Sequence, residues 1–319
     1  MTDTRPADRT WLHGLLFVLT ILTTCVAGLG WSASYLSFES GGAPGTDLVA
    51  VAGQALHDPR LFRLSALYAA VLMTILVGHE MGHYLTCRRY GLRATLPFFL
   101  PGPPFLGTFG AFIRIKSFIP FKRQVFDVGA NGPLTGFLLS VPALAIGLAY
   151  SKTVPLIDGA GYTRGDPLLL RLLTPLFGGP VPEGSTLVLH PVGFAGWVGL
   201  LVTALNLVPF SQLDGGHIAY ALLGRKARFL SYVMIVFFAV MGVFFHVTWL
   251  LFAGLLLFFE FKSKLRLNHP RVLDEGAPLG WKRRLLSVVI VLIFVLSFVP
   301  DPVKGASLID FLSGAWGRL

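Results

Sequence analysis

Two histidines four residues apart with a glutamate between them, His79-Glu80-Met81-Gly82-His83, are the residues of this chain best suited to chemistry. Four residues of helix turn about 400° and rise about 6 Å, so both imidazoles share one face and can hold one ion. Glu80 falls beside that face, where a carboxylate can take a proton from a water the ion activates. With the His and Glu content of this chain, the pattern arises by chance about three times in a thousand chains, so the match carries information. It also closes an apolar run, residues 64–77. Imidazoles and a carboxylate at the edge of a hydrocarbon layer are costly, and their presence there points to function.

A catalytic zinc takes three protein ligands and a water, so a third ligand must come from elsewhere in the chain. The best source is the stretch 206–217, which reads Asn206-Leu207-Val208-Pro209-Phe210-Ser211-Gln212-Leu213-Asp214-Gly215-Gly216-His217. Pro209 disturbs the helical ladder and Gly215-Gly216 permits a turn, so Asp214 can be aimed at the ion. Asn206, about two turns earlier, can donate a hydrogen bond to a carbonyl or its oxyanion. His217 could reach the metal on a helix, but a polar role behind the ligands or in a loop is the simpler reading. His190 reads as interfacial, and His13, His57, His246 and His269 fall at span ends or in loops, where a solvated imidazole is ordinary.

The elements that must position these groups are membrane spans. The 319 residues are 54% hydrophobic and 13% charged, with mean hydropathy +0.70, against about 25% charged for an ordinary soluble domain. The net charge of +10 sits in short loops between apolar runs, where Lys and Arg set topology, which argues against nucleic acid as a partner. Cys25 and Cys87 have no paired spacing and imply neither a disulfide framework nor a thiolate metal site. The basic start followed by an apolar run resembles a signal, but the run is long for one, so an uncleaved first span is expected.

Windows that can cross about 30 Å of hydrocarbon fall near 11–31, 64–87, 125–150, 192–210 and 284–300, and the run 229–261 divides into a tight pair at 242–246. That makes seven spans. The loops 88–124, 211–228 and 260–283, with Arg5 and Arg9, carry the basic residues. Seven spans put them all on one side, the cytoplasmic one by the positive-inside rule. Both motifs then reach the cytoplasmic end of the membrane. The loop 96–121 is apolar, yet its prolines forbid a regular helix, and 108–115 has a strand-like composition. Apolar irregular backbone at membrane depth must be buried or line a cavity. The segment therefore reads as a re-entrant hairpin near the metal site, with an edge that could pair with an extended peptide. The fold class is thus an all-α polytopic membrane protein of about seven helices with one re-entrant β-hairpin-like loop. Residues 1–10 and 301–319 read as tails of a single domain over 11–300, with its catalytic core at 64–225. The loop 151–189 is too short for a domain of its own.

These residues resemble the site-2 proteases, a family of intramembrane zinc metalloproteases. The segment from His79 to His83 is similar to the family's first motif, and that from Asn206 to Gly216 to its second. Gly107-Thr108-Phe109-Gly110 is similar to its substrate-facing hairpin, and Gly132-Pro133 extends the likeness. The resemblance covers about residues 65–270 and looks closest to the short forms, without room for an inserted PDZ domain or a terminal CBS domain. It implies one Zn2+ held by His79, His83 and Asp214, with Glu80 as base and Asn206 orienting substrate. It also implies substrate contacts at Gly107, Thr108, Phe109 and Gly110. The expected substrates are single-span membrane proteins, cut within or next to the span in the cytoplasmic membrane. Two other readings use the same residues: a divalent-metal transporter, and an inactive scaffold that binds such substrates. The outer halves of the spans carrying the two motifs are almost wholly apolar, against transport, and an intact Glu80 argues against a scaffold.

Overall fold

The computed structural model describes residues 10–39, 48–55, 57–155, 165–262, 272–302 and 308, and these are mostly helical. The N-terminal tail, all but a few residues of the C-terminal tail, and Lys264, Arg266 and Arg271 lie outside the described residues. The helices are α1 (Thr10–Glu39), α2 (Leu48–Ala55), α3 (Pro59–Arg89), α4 (Lys122–Ala149), α5 (Leu168–Leu173), α6 (Pro191–Leu207), α7 (Asp214–Leu223), α8 (Ala227–Phe244), α9 (Thr248–Lys262) and α10 (Trp281–Ser297).

α3 carries the histidine pair, and its ends follow from local chemistry. Asp58 caps the N-terminus by accepting from the backbone N–H of Arg60 at 2.8 Å, and Pro59, which lacks an N–H, occupies the first turn where none is needed. Arg88 and Arg89 sit in the last turn, where cations complement the helix dipole. Gly91 then takes φ +68° and turns the chain away.

α4 is the hub, packing against α3, α6 and α7, while α3 also meets α1 and α6. The largest buried cluster joins Tyr68, Leu72 and Leu76 of α3 to Leu144 and Leu148 of α4 and to Phe194, Trp197 and Leu200 of α6. Two strands, β1 (Phe98–Pro101) and β2 (Thr108–Phe112), form an antiparallel hairpin in which Phe98 faces Phe112. α1 runs along it: Thr23 donates to the Gly107 carbonyl at 2.6 Å and Trp31 to the Phe105 carbonyl at 2.8 Å. A second antiparallel pair, β3 (Lys152–Pro155) with β4 (Ser185–Val188), lies in the connection between α4 and α6.

Among the described residues, four stretches of helix are long and apolar enough to cross a membrane, residues 10–38, 59–89, 122–149 and 214–244, while α6 and α9 are shorter. The expected window at 192–210 ends early because Pro209 cannot continue α6, which stops at Leu207. The expected loop 211–228 is largely helix. Past Pro209 the chain turns through Ser211 at φ +42°, and the apolar run after Gly216 resumes as α7 and leads into α8. Gly215-Gly216 therefore opens a helix. A Cβ at Gly215 would overlap the Leu207 carbonyl and one at Gly216 the Ser211 carbonyl, so two glycines let α7 start against the end of α6.

Candidate active site

The ends of α3 and α6, the first turns of α4 and the start of α7 converge on one cavity of about 180 Å³. His79, Glu80, His83, Asn206, Asp214 and His217 line it, as do Ala111, Phe112, Ile113 and Ile115 of the hairpin. His79 and His83 lie one turn apart on α3, and their Nε2 atoms are 3.1 Å from each other. Asp214, in the first turn of α7, brings Oδ2 to 3.3 Å from each of those nitrogens. Two residues of one helix and one more than 120 positions away thus present three donor atoms in a near-equilateral triangle.

The tautomer of His83 follows from its partner. Nδ1 lies 2.7 Å from the Val128 carbonyl of α4, and a carbonyl only accepts, so Nδ1 carries the proton and Nε2 keeps its lone pair for the cavity. The triangle can be tested against an ion. Zinc bonds to N and O are about 2.0–2.1 Å, and a tetrahedron with such bonds has edges of about 3.3 Å. Edges of 3.1 and 3.3 Å match it, so the three donor atoms would fit a tetrahedral zinc. Glu80 completes a cluster with the two histidines in which one donor atom from each lies within 4.8 Å of the others. Its carboxylate is buried and shares the cavity wall with Ile113 of the hairpin segment. Asn206 Nδ2 lies 3.3 Å from His79 Nε2.

A row of glycines on α4 makes this approach possible. A Cβ at Gly132 would overlap the His83 ring. At Gly136 it would stand 3.1 Å from His79 Nδ1, and at Gly129 2.8 Å from His217 Cβ and 2.9 Å from the Asp214 carbonyl oxygen. Gly132 figured in the sequence only as part of a resemblance, and Val128, Gly129 and Gly136 did not figure at all. The spacing 129, 132, 136 is helical, which is the signal that could have singled out this face.

A match to the sequence model of peptidase family M50 spans residues 67–247 and takes in every donor atom of the cluster. The chain belongs to peptidase family M50. Within the family it is similar to proteins named probable zinc metalloproteases. It is 35% identical to the chloroplastic EGY2 of Arabidopsis thaliana over 164 residues, 50% of this chain and 29% of that one. With the chloroplastic EGY1 of Oryza sativa subsp. japonica it shares 30% over 237 residues, 72% of this chain and 39% of that one. With the chloroplastic EGY3 of Oryza sativa subsp. indica it shares 29% over 285 residues, 83% and 46%. The match to each relative covers less than half of that relative's length. No solved structure matches the chain. Apolar helices and a cluster of possible metal donors thus occur together in this M50 chain.

Other predicted positions fall differently. Gly107, Thr108, Phe109 and Gly110 do not line the cavity; Ala111, Phe112, Ile113 and Ile115 of the same segment do. Gly107, at φ +84°, packs against Thr24 of α1. Thr108 braces the hairpin by donating to the Leu100 carbonyl at 2.9 Å. Phe109 points outward, 73% exposed. His217 stands in the lining one turn after Asp214. Two histidines expected to be solvated are buried: His13 meets the Pro97 carbonyl at 3.1 Å, and His246 accepts from the Thr248 backbone N–H at 3.1 Å. His190 caps α6 by accepting from the Val192 backbone N–H. Local sequence places a histidine at a span end but cannot see the distant backbone that covers it.

Proposed function

We propose that this M50 protein is an intramembrane zinc endopeptidase that hydrolyses a peptide bond within or next to the transmembrane segment of a single-span membrane protein. The observation that carries this reading is the triangle of His79 Nε2, His83 Nε2 and Asp214 Oδ2 with a buried carboxylate beside it. His79, His83 and Asp214 would hold the metal, which would supply the Lewis acidity that activates a water and polarises the scissile carbonyl. Glu80 accepts the proton of the attacking water and returns it to the leaving amine. Asn206 donates to the carbonyl oxygen of the substrate as charge develops on it.

A transmembrane substrate is helical, with its carbonyls engaged in i to i−4 bonds, so it must be unwound before attack. The hairpin is suited to hold it extended, because β2 pairs with β1 on one edge only among the described residues, and peptides bind to open edges as added strands. A membrane-inserted, re-entrant position for the hairpin is supported by its run along α1. Its base meets His13 and its tip Trp31, eighteen residues apart, or about 27 Å of helix, close to the hydrocarbon thickness of about 30 Å. In this reading 11–300 is one membrane-embedded domain with its core at 64–225. Seven crossings put the N-terminus and the site on the cytoplasmic side. The membrane is the cell membrane or a compartment equivalent to the one that houses the chloroplastic relatives.

The test is quantitative membrane proteomics on cells expressing the native chain or Glu80→Gln. Single-span stubs accumulating only with Glu80→Gln support proteolysis and identify substrates. Identical profiles from folded, zinc-loaded proteins overturn it in favour of transport or scaffolding.

A further inference from the structure

The orientation of His83 depends on where α4 puts the Val128 carbonyl, and the residue before Val128 is held unusually firmly. Arg283 of α10 donates from Nε to Asp127 Oδ1 and from Nη2 to Asp127 Oδ2, both at 2.7 Å. That two-pronged geometry fixes the carboxylate in angle as well as distance. The Tyr90 hydroxyl donates to the same Oδ2. Tyr90 caps α3 seven residues after His83, which is two turns along the same edge of the helix. Asp127 and Val128 therefore grip α3 at two points, Tyr90 and His83, and Arg283 sets the first grip. The segment before α10 reinforces it. Asp274 accepts from the Lys122 backbone N–H at 2.8 Å, the Lys122 ammonium donates to the Ala277 carbonyl at 3.2 Å, and the Leu273 N–H donates to the Pro120 carbonyl at 2.8 Å. Arg283 lies beyond residue 247, where the family match ends.

We propose that Arg283 and Asp127, with Tyr90, are positioning residues for the metal site, so that α10 tunes zinc binding by fixing the Val128 carbonyl against His83. The inference rests on the zinc reading of the site and extends it. A pair that only stapled α10 to α4 would alter melting of the metal-free chain and leave the metal's environment alone. A pair that positions His83 alters that environment too.

The experiment uses the full chain purified in detergent. Zinc affinity is measured by competition with a chromophoric chelator, and the visible absorption of the cobalt-substituted protein reports ligand geometry. Arg283→Gln and Asp127→Asn are each expected to weaken zinc binding on the order of tenfold, the lower end for contacts behind metal ligands, and to shift the cobalt bands. The double variant should be no worse than either single one, because both break one unit. Arg283→Lys keeps the charge but loses the fork; it should bind zinc severalfold more weakly and remain usable if Arg283→Gln does not fold. Native zinc affinity and native cobalt bands in folded Arg283→Lys or Asp127→Asn overturn the proposal, as do independent, additive losses. His79→Ala serves as the reference. If the native chain binds zinc no better than His79→Ala, the metal reading fails; if it does bind better and the Arg283 and Asp127 variants match it, only the positioning role fails.

Discussion

Replacing Gly132 by alanine tests how tightly the site is built. A Cβ at this position would overlap Nε2, Cε1 and Cδ2 of His83. Ordinary contact between such atoms is about 3.5 Å and the nearest, Nε2, would stand at 2.0 Å, so α4 and the imidazole must separate by about 1.5 Å. The ring is not a flexible end that can swing aside. It is buried, its Nδ1 is fixed at 2.7 Å to the Val128 carbonyl, and its Nε2 stands 3.1 Å from His79 and 3.3 Å from Asp214. A shift of that size opens one corner of the triangle. Overpacking on this scale costs about 1–3 kcal/mol of stability. Misplacing a reacting group by about 1 Å costs about a hundredfold in rate. The assay is zinc competition on the purified chain, with metal-free melting followed in parallel. Gly14→Ala is the control, since a Cβ there meets nothing within 4 Å, and it should bind zinc as the native chain does. Gly132→Ala that melts normally and binds zinc with native affinity would refute the close-packing argument.

Three further outcomes follow from named contacts. Glu80→Gln keeps the shape of the side chain but cannot take a proton, so zinc content should be unchanged while cleavage of a membrane substrate falls about 10²–10⁴-fold; retained cleavage would remove Glu80 from the chemistry. Trp31→Phe deletes the donor to the Phe105 carbonyl, worth about 0.5–1.5 kcal/mol. Hydrogen exchange at the Gly102 and Gly107 amides, which close the hairpin tip, should accelerate, and unchanged exchange would mean that α1 does not anchor it. Burial holds the His190 imidazole below its ordinary pKa, so the unfolded chain binds more protons just below about pH 6.5, and stability should fall as pH drops through that range. His190→Asn retains an acceptor for the Val192 N–H and should flatten the dependence in melting curves; an identical pH profile would contradict this.

How much of the site can be read in the sequence depends on how each part is encoded. His79, Glu80 and His83 lie within a little over one helical turn, so spacing reports their geometry directly. Asp214 is legible because Pro209 and the glycine pair bracket it, although they end one helix and start another and do not shape a loop. The Val128 carbonyl carries no residue signature, since any residue offers a carbonyl, and only the fold brings it to His83. The glycine face of α4 is hidden for a related reason: a glycine reads as flexibility until the neighbour pressing on it is known. The helical windows follow from apolar runs, and their ends shift where a cap or a proline decides, as at Asp58 and Pro209. The hairpin's irregularity follows from its prolines, but which strand residues face the cavity depends on a register set against α1 and α3. That is why Ala111, Phe112, Ile113 and Ile115, and not residues 107–110, line it.

The central claim, that His79, His83 and Asp214 form a zinc site, is tested most directly by zinc X-ray absorption on the purified native chain. One zinc per chain is predicted, with only N and O neighbours at about 2.0–2.1 Å and the scattering signature of two imidazoles, reduced to one in His83→Ala. A chain that holds no zinc, or a zinc with a sulfur neighbour at about 2.3 Å, would contradict the account.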